Sequence, residues 1–233
     1  MELKNKNIVL TGGSSGLGLA TAKGLINKGA NVLITGRDIT KLEDVAKKLN
    51  CQFLQLDSSN FDEIPSQCEK AIKILGGVDV LINNAGIGKF NLIDDVSLDE
   101  FNQVYQTNVF GVALISQEII KHFKTKNKGN IINIGSTAAT KGFAHGTVYA
   151  SSKFALRGMT QCWQAELRKF NIRVMLVNPS EVPTAFNQED RSERELVDNK
   201  LHPEDIAHAI VANLEMNDRG FIPELGVWAT NPF

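Results

Sequence analysis

The chain has 233 residues, with 25 Lys+Arg against 26 Asp+Glu for a formal charge of −1, and is 42% hydrophobic and 22% charged. That balance is ordinary for a globular protein with a sizeable core; it excludes a disordered chain and lacks the clustered basic surface of a nucleic-acid binder. No apolar run approaches the length of a membrane span, and the three widely spaced cysteines (Cys51, Cys68, Cys162) match neither a disulfide framework nor a metal-ligand spacing.

Residues 1–7 lack the apolar core of a signal peptide and lead directly into a strand; with the odd cysteine set, this points to a reducing, cytoplasmic compartment. Ile8-Val9-Leu10 predicts a first strand, and 17–27 an amphipathic helix. Val32-Leu33-Ile34 precedes a helix over about 39–49, and 52–56 precedes one over 61–75. Runs at 78–82, 130–134 and 173–177 complete six strand candidates. Long helical zones cover about 98–124 and 148–169. His202-Pro203-Glu204-Asp205 starts a last helix, with Pro203 at its first position. Phe221-Ile222 and Val227-Trp228 are short strand candidates, and the first is the candidate for a seventh parallel strand. Strands that are apolar throughout, alternating with helices, predict an α/β chain: a doubly wound parallel sheet of six to seven strands with helices on both faces. No repeat or linker divides it, so 1–233 reads as one domain.

Thr11-Gly12-Gly13-Ser14-Ser15-Gly16-Leu17-Gly18 falls between the first strand and the first helix. Glycines there allow a tight turn and close approach of backbone to a pyrophosphate, and the helix N-terminus favours the negative charge. The second strand ends Thr35-Gly36-Arg37-Asp38. An acid at its tip would accept bonds from a ribose and repel a 2′-phosphate; Gly36 leaves room and Arg37 offers a planar fork to phosphate. Ser15 can add a hydroxyl. Asp38 reads as the cap of the following helix. The cofactor expected is therefore NADP(H), although Arg37 also reads as a plain surface cation.

The Gly-x3-Gly-x-Gly spacing resembles that of the short-chain dehydrogenase/reductase family. The resemblance extends through Asp57, Asn83-Asn84-Ala85-Gly86, Asn108, Ser136, Tyr149-Ala150-Ser151-Ser152-Lys153 and Asn178-Pro179-Ser180-Glu181-Val182-Pro183-Thr184, in that order. It implies a Rossmann-type fold in which Asp57 and Ser58 lie beside the adenine, while Asn84, Ala85 and Gly86 form a turn against the cofactor. It places Pro179, Val182 and Thr184 at the nicotinamide. Ser180 replaces the family's usual glycine, which matters if the backbone there needs a positive φ.

Carbonyl reduction needs a proton donor and a holder for the developing oxyanion, since a nicotinamide carries the hydride. Tyr149 is the expected donor. Lys153, one helical turn on, shares its face, and a fixed positive charge there lowers the phenol pKa. Ser136, thirteen residues before Tyr149, is placed to hydrogen-bond the substrate oxygen. The resemblance assigns Lys153 a bond to the nicotinamide ribose, and Asn108 a kink and a water feeding protons to Lys153. Taken alone, Tyr-x3-Lys is a common surface-helix pattern, Ser136 a loop residue and Asn108 a tolerated polar residue. No histidine pair has zinc spacing, so no metal is expected. His145 lies between Ser136 and Tyr149 and reads equally as a substrate contact or a loop residue in water. Phe143 and Phe186 read as pocket walls or core.

The segment 185–202 is expected to cover the substrate, with Ala185, Phe186, Leu196 and Val197 inward and the charges of 189–195 outward. It is short and polar, which favours a small to medium ketone, aldehyde or keto-ester. Two alternatives stay open. One is a 3-oxoacyl-(acyl-carrier-protein) reductase, which needs a basic surface near the pocket; Lys121, Lys124, Lys126, Lys128, Arg191 and Arg194 are the candidates. The other is a non-catalytic NADP sensor or scaffold, against which the intact Tyr149/Lys153 pair speaks. The resemblance further implies a homodimer or homotetramer formed through the two long helical zones.

Overall fold

Strands that are apolar at every position have no face to give to water, and both faces of this sheet are covered. The computed structural model describes residues 1–186 and 194–231. Among the described residues the strands are β1 (Asn7–Thr11), β2 (Asn31–Gly36), β3 (Gln52–Gln55), β4 (Val80–Asn83), β5 (Gly129–Ile134), β6 (Ile172–Pro179) and β7 (Glu224–Val227). All neighbours pair parallel, in the order β3-β2-β1-β4-β5-β6-β7. The α-helices are α1 (Gly16–Asn27), α2 (Ile39–Leu49), α3 (Ile64–Leu75), α4 (Leu98–Tyr105), α5 (Val112–Lys126), α6 (Thr147–Leu167) and α7 (Pro203–Glu215).

Alternation along β1 assigns the faces. Ile8 and Leu10 join one buried cluster with Leu25 of α1, Leu42 of α2 and Ile206 and Ile210 of α7. Val9 points the other way, into a cluster with Ala71 of α3, Ile119 and Phe123 of α5 and Leu167 of α6. The chain winds outward from β1 to β3, then returns to lay β4 on the other side of β1. This reversal opens a crevice at the strands' carboxyl ends, where ligands bind in open α/β sheets.

Several boundaries refine the sequence expectation. α3 begins at Ile64, because residues 60–63 form turns ahead of Pro65 in its first turn. The helical zone from 98 to 124 is interrupted by a π-helical stretch, Gln106–Gly111, which contains Asn108, the residue expected to hold a kink. The seventh strand is Glu224–Val227, not Phe221-Ile222. The Asn213 side chain takes both backbone polar groups of Ile222, at 3.3 Å each, leaving them none to offer a neighbouring strand. Among the described residues no helix is long and apolar enough to cross a membrane.

Candidate active site

The carboxyl ends of β1, β2, β4, β5 and β6 line one cleft of about 1050 Å³. At its floor, Gly12 and Gly16 hold φ of +67° and +49°, left-handed conformations that L side chains rarely adopt. A Cβ on Gly12 would meet the Ala85 Cα at 2.9 Å, and one on Gly18 would meet the Gly12 carbonyl at 2.1 Å. The Asn84 side chain donates to the Thr11 and Gly12 carbonyls at 3.0 Å each, tying the turn after β4 to the glycine loop. Ser14, Ser15, Leu17, Ala85 and Gly86 line the cleft around this junction. Ser15, which precedes α1, makes no side-chain capping bond, and the helix has no acid in its first turn.

Arg37 stands exposed at the cleft beyond β2. Asp38 caps α2, its carboxylate accepting from the Lys41 N–H at 3.0 Å. Lys41 also lines the cleft, and the sequence reading missed it. Its signal was available: a cation in a helix's first turn opposes the macrodipole and needs another reason to be there. Asp57 accepts from the backbone and hydroxyl of Ser59 at 2.9 and 2.7 Å, which fixes its carboxylate at the cleft beside buried Ser58.

Tyr149 and Lys153 project from one face of α6 into the same cleft as Ser136, Pro179, Val182 and Thr184. The Ser136 hydroxyl also accepts from the Ala138 N–H at 3.1 Å. Lys153 is 5% exposed, donates to the Ile134 carbonyl at 2.8 Å, and holds its Nζ 5.7 Å from the Tyr149 ring centre. Burial pushes the Tyr149 phenol up to about 12, opposed by its hydrogen bond with Ser136. Burial likewise brings the Lys153 ammonium down to about 8. The sequence expectation is of a phenol acidified by its lysine; among the chain's own groups burial is the larger influence on the phenol and Ser136 is the group that opposes it.

Asn108 is 1% exposed within the π-helical stretch, outside the cleft lining. It accepts from the Ile87 N–H and donates to the Ile87 carbonyl, both at 2.9 Å, and to the Ser152 hydroxyl at 3.1 Å. It thus braces the turn after β4 against α6. Ser180 has no positive φ and donates its N–H to the Val227 carbonyl at 2.9 Å, so the replaced glycine is not required there. Thr184 is buried, within 3.2 Å of where a Gly16 Cβ would stand.

Phe143 and Phe186 line the cleft, and Phe90, missed in the sequence, joins them. Its ring lies 5.2 Å from Tyr149 and 6.1 Å from Phe143, while Phe186 lies 5.6 Å from Tyr149 on centroids. No periodic signal marks Phe90, because it sits in the irregular turn after β4. Lys141, Arg194 and Trp228 also line the cleft. His145 does not: it is exposed at φ +66°, in a turn that carries it away from the cleft. Leu196 and Val197, expected inward, are 53% and 44% exposed. Residues 187–193, Arg191 included, lie outside the described residues.

The basic stretch runs to the amino ends of β4 and β5, the end of the sheet opposite the cleft. Lys126 donates to the Val78 carbonyl and pairs with Asp79 just before β4, Lys128 pairs with Asp218, and Lys121 pairs with Glu118 on α5.

The model of the short chain dehydrogenase family matches residues 6–195. An NADP-dependent 3-hydroxy acid dehydrogenase of Schizosaccharomyces pombe is 32% identical over 245 residues, covering 99% of this chain and 95% of its own. An alcohol dehydrogenase from the archaeon Thermococcus sibiricus, solved with 5-hydroxy-NADP, superposes with a TM-score of 0.90 at 26% identity over 97% of both chains. A 3-ketoacyl-(acyl-carrier-protein) reductase from Brucella melitensis, solved with NADH, gives 0.88 at 28% identity over 99% of this chain and 100% of that one. Sequence match and sheet order agree, and the chain belongs to the short-chain dehydrogenase family.

Proposed function

We propose that the chain is an NADP(H)-dependent oxidoreductase that interconverts a carbonyl and an alcohol, with Tyr149 as its acid/base. The observation that carries this reading is the meeting of Ser136, Tyr149 and Lys153 with the glycine loop in one cleft. The residues fit a dinucleotide: Gly12 and Gly18 leave no room for a Cβ where backbone must approach a pyrophosphate, and two cations, Arg37 and Lys41, stand past β2 where a 2′-phosphate needs them. The described relative from Schizosaccharomyces pombe is itself named NADP-dependent.

When bound, the coenzyme supplies or takes the hydride. The chain works at the oxygen. Tyr149 gives its proton to the oxygen in reduction and takes it back in oxidation, and the Ser136 hydroxyl donates to the same oxygen as negative charge develops there. Lys153 holds a positive charge beneath the phenol and reaches the ribose side; Asn108 positions the turn and helix that carry these groups. Asp57 and Ser58 would hold the adenine end, Ala85 and Gly86 the middle of the coenzyme, and Pro179, Val182 and Thr184 the nicotinamide end. Incubation with NADPH and a panel of ketones, aldehydes and keto-esters tests this. A Tyr149→Phe protein that folds, binds coenzyme and keeps full turnover would refute it. Coenzyme binding without turnover of any carbonyl would favour the sensor alternative.

A narrower substrate class is supported by Lys141 and Arg194, cations on the cleft with no carboxylate partner among the described residues. Glu181, the nearby acid, is paired with Lys200 at 2.6 Å. A substrate bearing a carboxylate, such as a 3-hydroxy acid, suits them. Turnover of a 3-hydroxy acid should exceed that of its methyl ester, and Lys141→Ala or Arg194→Ala should remove the difference. Equal rates for acid and ester in the unaltered protein would reject this class. For the carrier-protein alternative, Lys121, Lys126 and Lys128 are paired away from the cleft, and of the candidate cations Arg194, joined by Lys141, lies on it. Assembly as a homodimer or homotetramer is proposed through the two long helical zones, where Leu98 of α4, Phe110 of the π-helical stretch and Phe154 of α6 are exposed; light scattering measures it.

A further inference from the structure

Three side chains outside the cleft lining form a row that ends on Ser136. Arg157 of α6 donates from Nε to the Glu224 carboxylate of β7 at 3.0 Å. The Asn178 Nδ2 of β6 donates to the Glu224 Oε1 at 2.9 Å. The Asn178 Oδ1 accepts the backbone N–H of Ser136 at 3.1 Å. We propose that Glu224, held by Arg157, is a positioning residue that fixes Ser136 through the Asn178 amide. This rests on the functional reading above, in which Ser136 holds the substrate oxygen.

The chemistry of an amide makes the case. A carboxamide has two orientations of nearly identical shape that differ only in which end donates. Asn178 is 3% exposed, so water does not decide between them. Glu224 is an acceptor only. It therefore demands the NH2 end of Asn178 and leaves the oxygen for Ser136. Without the carboxylate, a turned amide would set N–H against N–H and displace the Ser136 backbone.

The fit at that point is close. A Cβ on Gly135 would stand 2.1 Å from the Asn178 Oδ1, so the amide oxygen is as near the strand end as a glycine permits. Arg157 lies one turn past Lys153 and two past Tyr149 on α6. The row thus ties the helix bearing the phenol to the strand end bearing the hydroxyl, through the sheet's edge strand. The Arg157–Glu224 pair is about one-third exposed, and such a pair contributes little to stability on its own. Its effect is on register.

The test reads Ser136 directly. Glu224→Ala should speed hydrogen exchange of the Ser136 amide at least tenfold by NMR, leaving the β5 amides protected. Arg157→Ala, altered at the exposed end, should do so to a lesser extent. In turnover, Glu224→Ala should lower kcat about tenfold with the coenzyme KM unchanged, and Glu224→Gln, which keeps an acceptor, should recover part of it. In a Ser136→Ala background, Glu224→Ala should change nothing further. Unchanged Ser136 exchange in both single variants, or an equal loss of kcat with and without Ser136, overturns the proposal. The exchange measurement needs no substrate, so a chain that turns over no carbonyl would sink the functional reading while the row was still decided.

Discussion

Lys153 directs its ammonium to the Ile134 carbonyl, 2.8 Å away, with its Nζ 5.7 Å from the centre of the Tyr149 ring. Among the described residues no carboxylate balances it, and burial lowers its pKa to about 8. The lysine is kept at the expense of the fold, as expected of a group held for chemistry.

Lys153→Met should therefore stabilise the coenzyme-free protein at pH 7 while abolishing turnover. The shift from 10.5 to about 8 corresponds to roughly 3 kcal/mol. Losing the bond to Ile134 returns about 1–2 kcal/mol of that. The net gain of about 1–2 kcal/mol should raise Tm by about 3–6 °C. The gain has a pH window. The unfolded chain binds the proton below 10.5 and the folded one only below about 8, so the wild type gains stability as pH rises through that interval and the difference closes. Thermal melts at pH 7 and 10 measure it; a lower Tm for the variant at pH 7 would contradict the account.

The Ser136 hydrogen bond pulls the Tyr149 pKa down against the burial that raises it. Alcohol oxidation needs the phenolate, so its rate climbs with pH toward that pKa. Ser136→Ala removes the downward pull, and the climb should move to higher pH as well as lose height. The pH profile of kcat/KM in the oxidation direction shows this; a profile that only falls in height would leave Ser136 with no electrostatic hold on the phenol.

Arg37 and Lys41 bracket the far end of the cleft, and Asp38 is occupied by its cap on Lys41. Arg37→Asp should cut the NADPH/NADH ratio of kcat/KM by at least tenfold, the scale of about 1.5–3 kcal/mol for a lost charged hydrogen bond. Lys41→Ala should lower the same ratio by a smaller factor. Steady-state kinetics with both coenzymes decide it, and an unchanged ratio in the Arg37 variant rejects the 2′-phosphate assignment.

Gly12 has φ +67° and would place a Cβ 2.9 Å from the Ala85 Cα. Gly12→Ala should cost about 1–2 kcal/mol in backbone strain alone, and the displaced turn should weaken coenzyme binding more than tenfold. Fluorescence titration with NADPH and a melt report the two effects. A variant with wild-type affinity would mean that the glycine loop does not cradle the coenzyme.

The element pattern was legible because its causes are local. β1 to β6 and α2 follow from apolar runs and from Asp38 as a cap. The glycine spacing and the Tyr149/Lys153 repeat are likewise short-range features. The seventh strand was misplaced because the deciding contact, Asn213 on Ile222, joins a helix to a later loop that no window along the chain relates. Phe90 and Trp228 were missed, and His145 included, for the same reason: whether a loop side chain meets the cleft depends on how the loop is carried, not on its neighbours in sequence.

By itself the sequence determined the order of strands and helices, the loop able to take a pyrophosphate and the residues able to move a proton, since periodicity, capping and residue chemistry are written within a few positions. Only the tertiary structure decided that burial raises the Tyr149 phenol against its bond with Ser136, and that Asn178, Glu224 and Arg157 converge behind Ser136. Solvation and the orientation of a buried amide are set by groups brought together from distant parts of the chain.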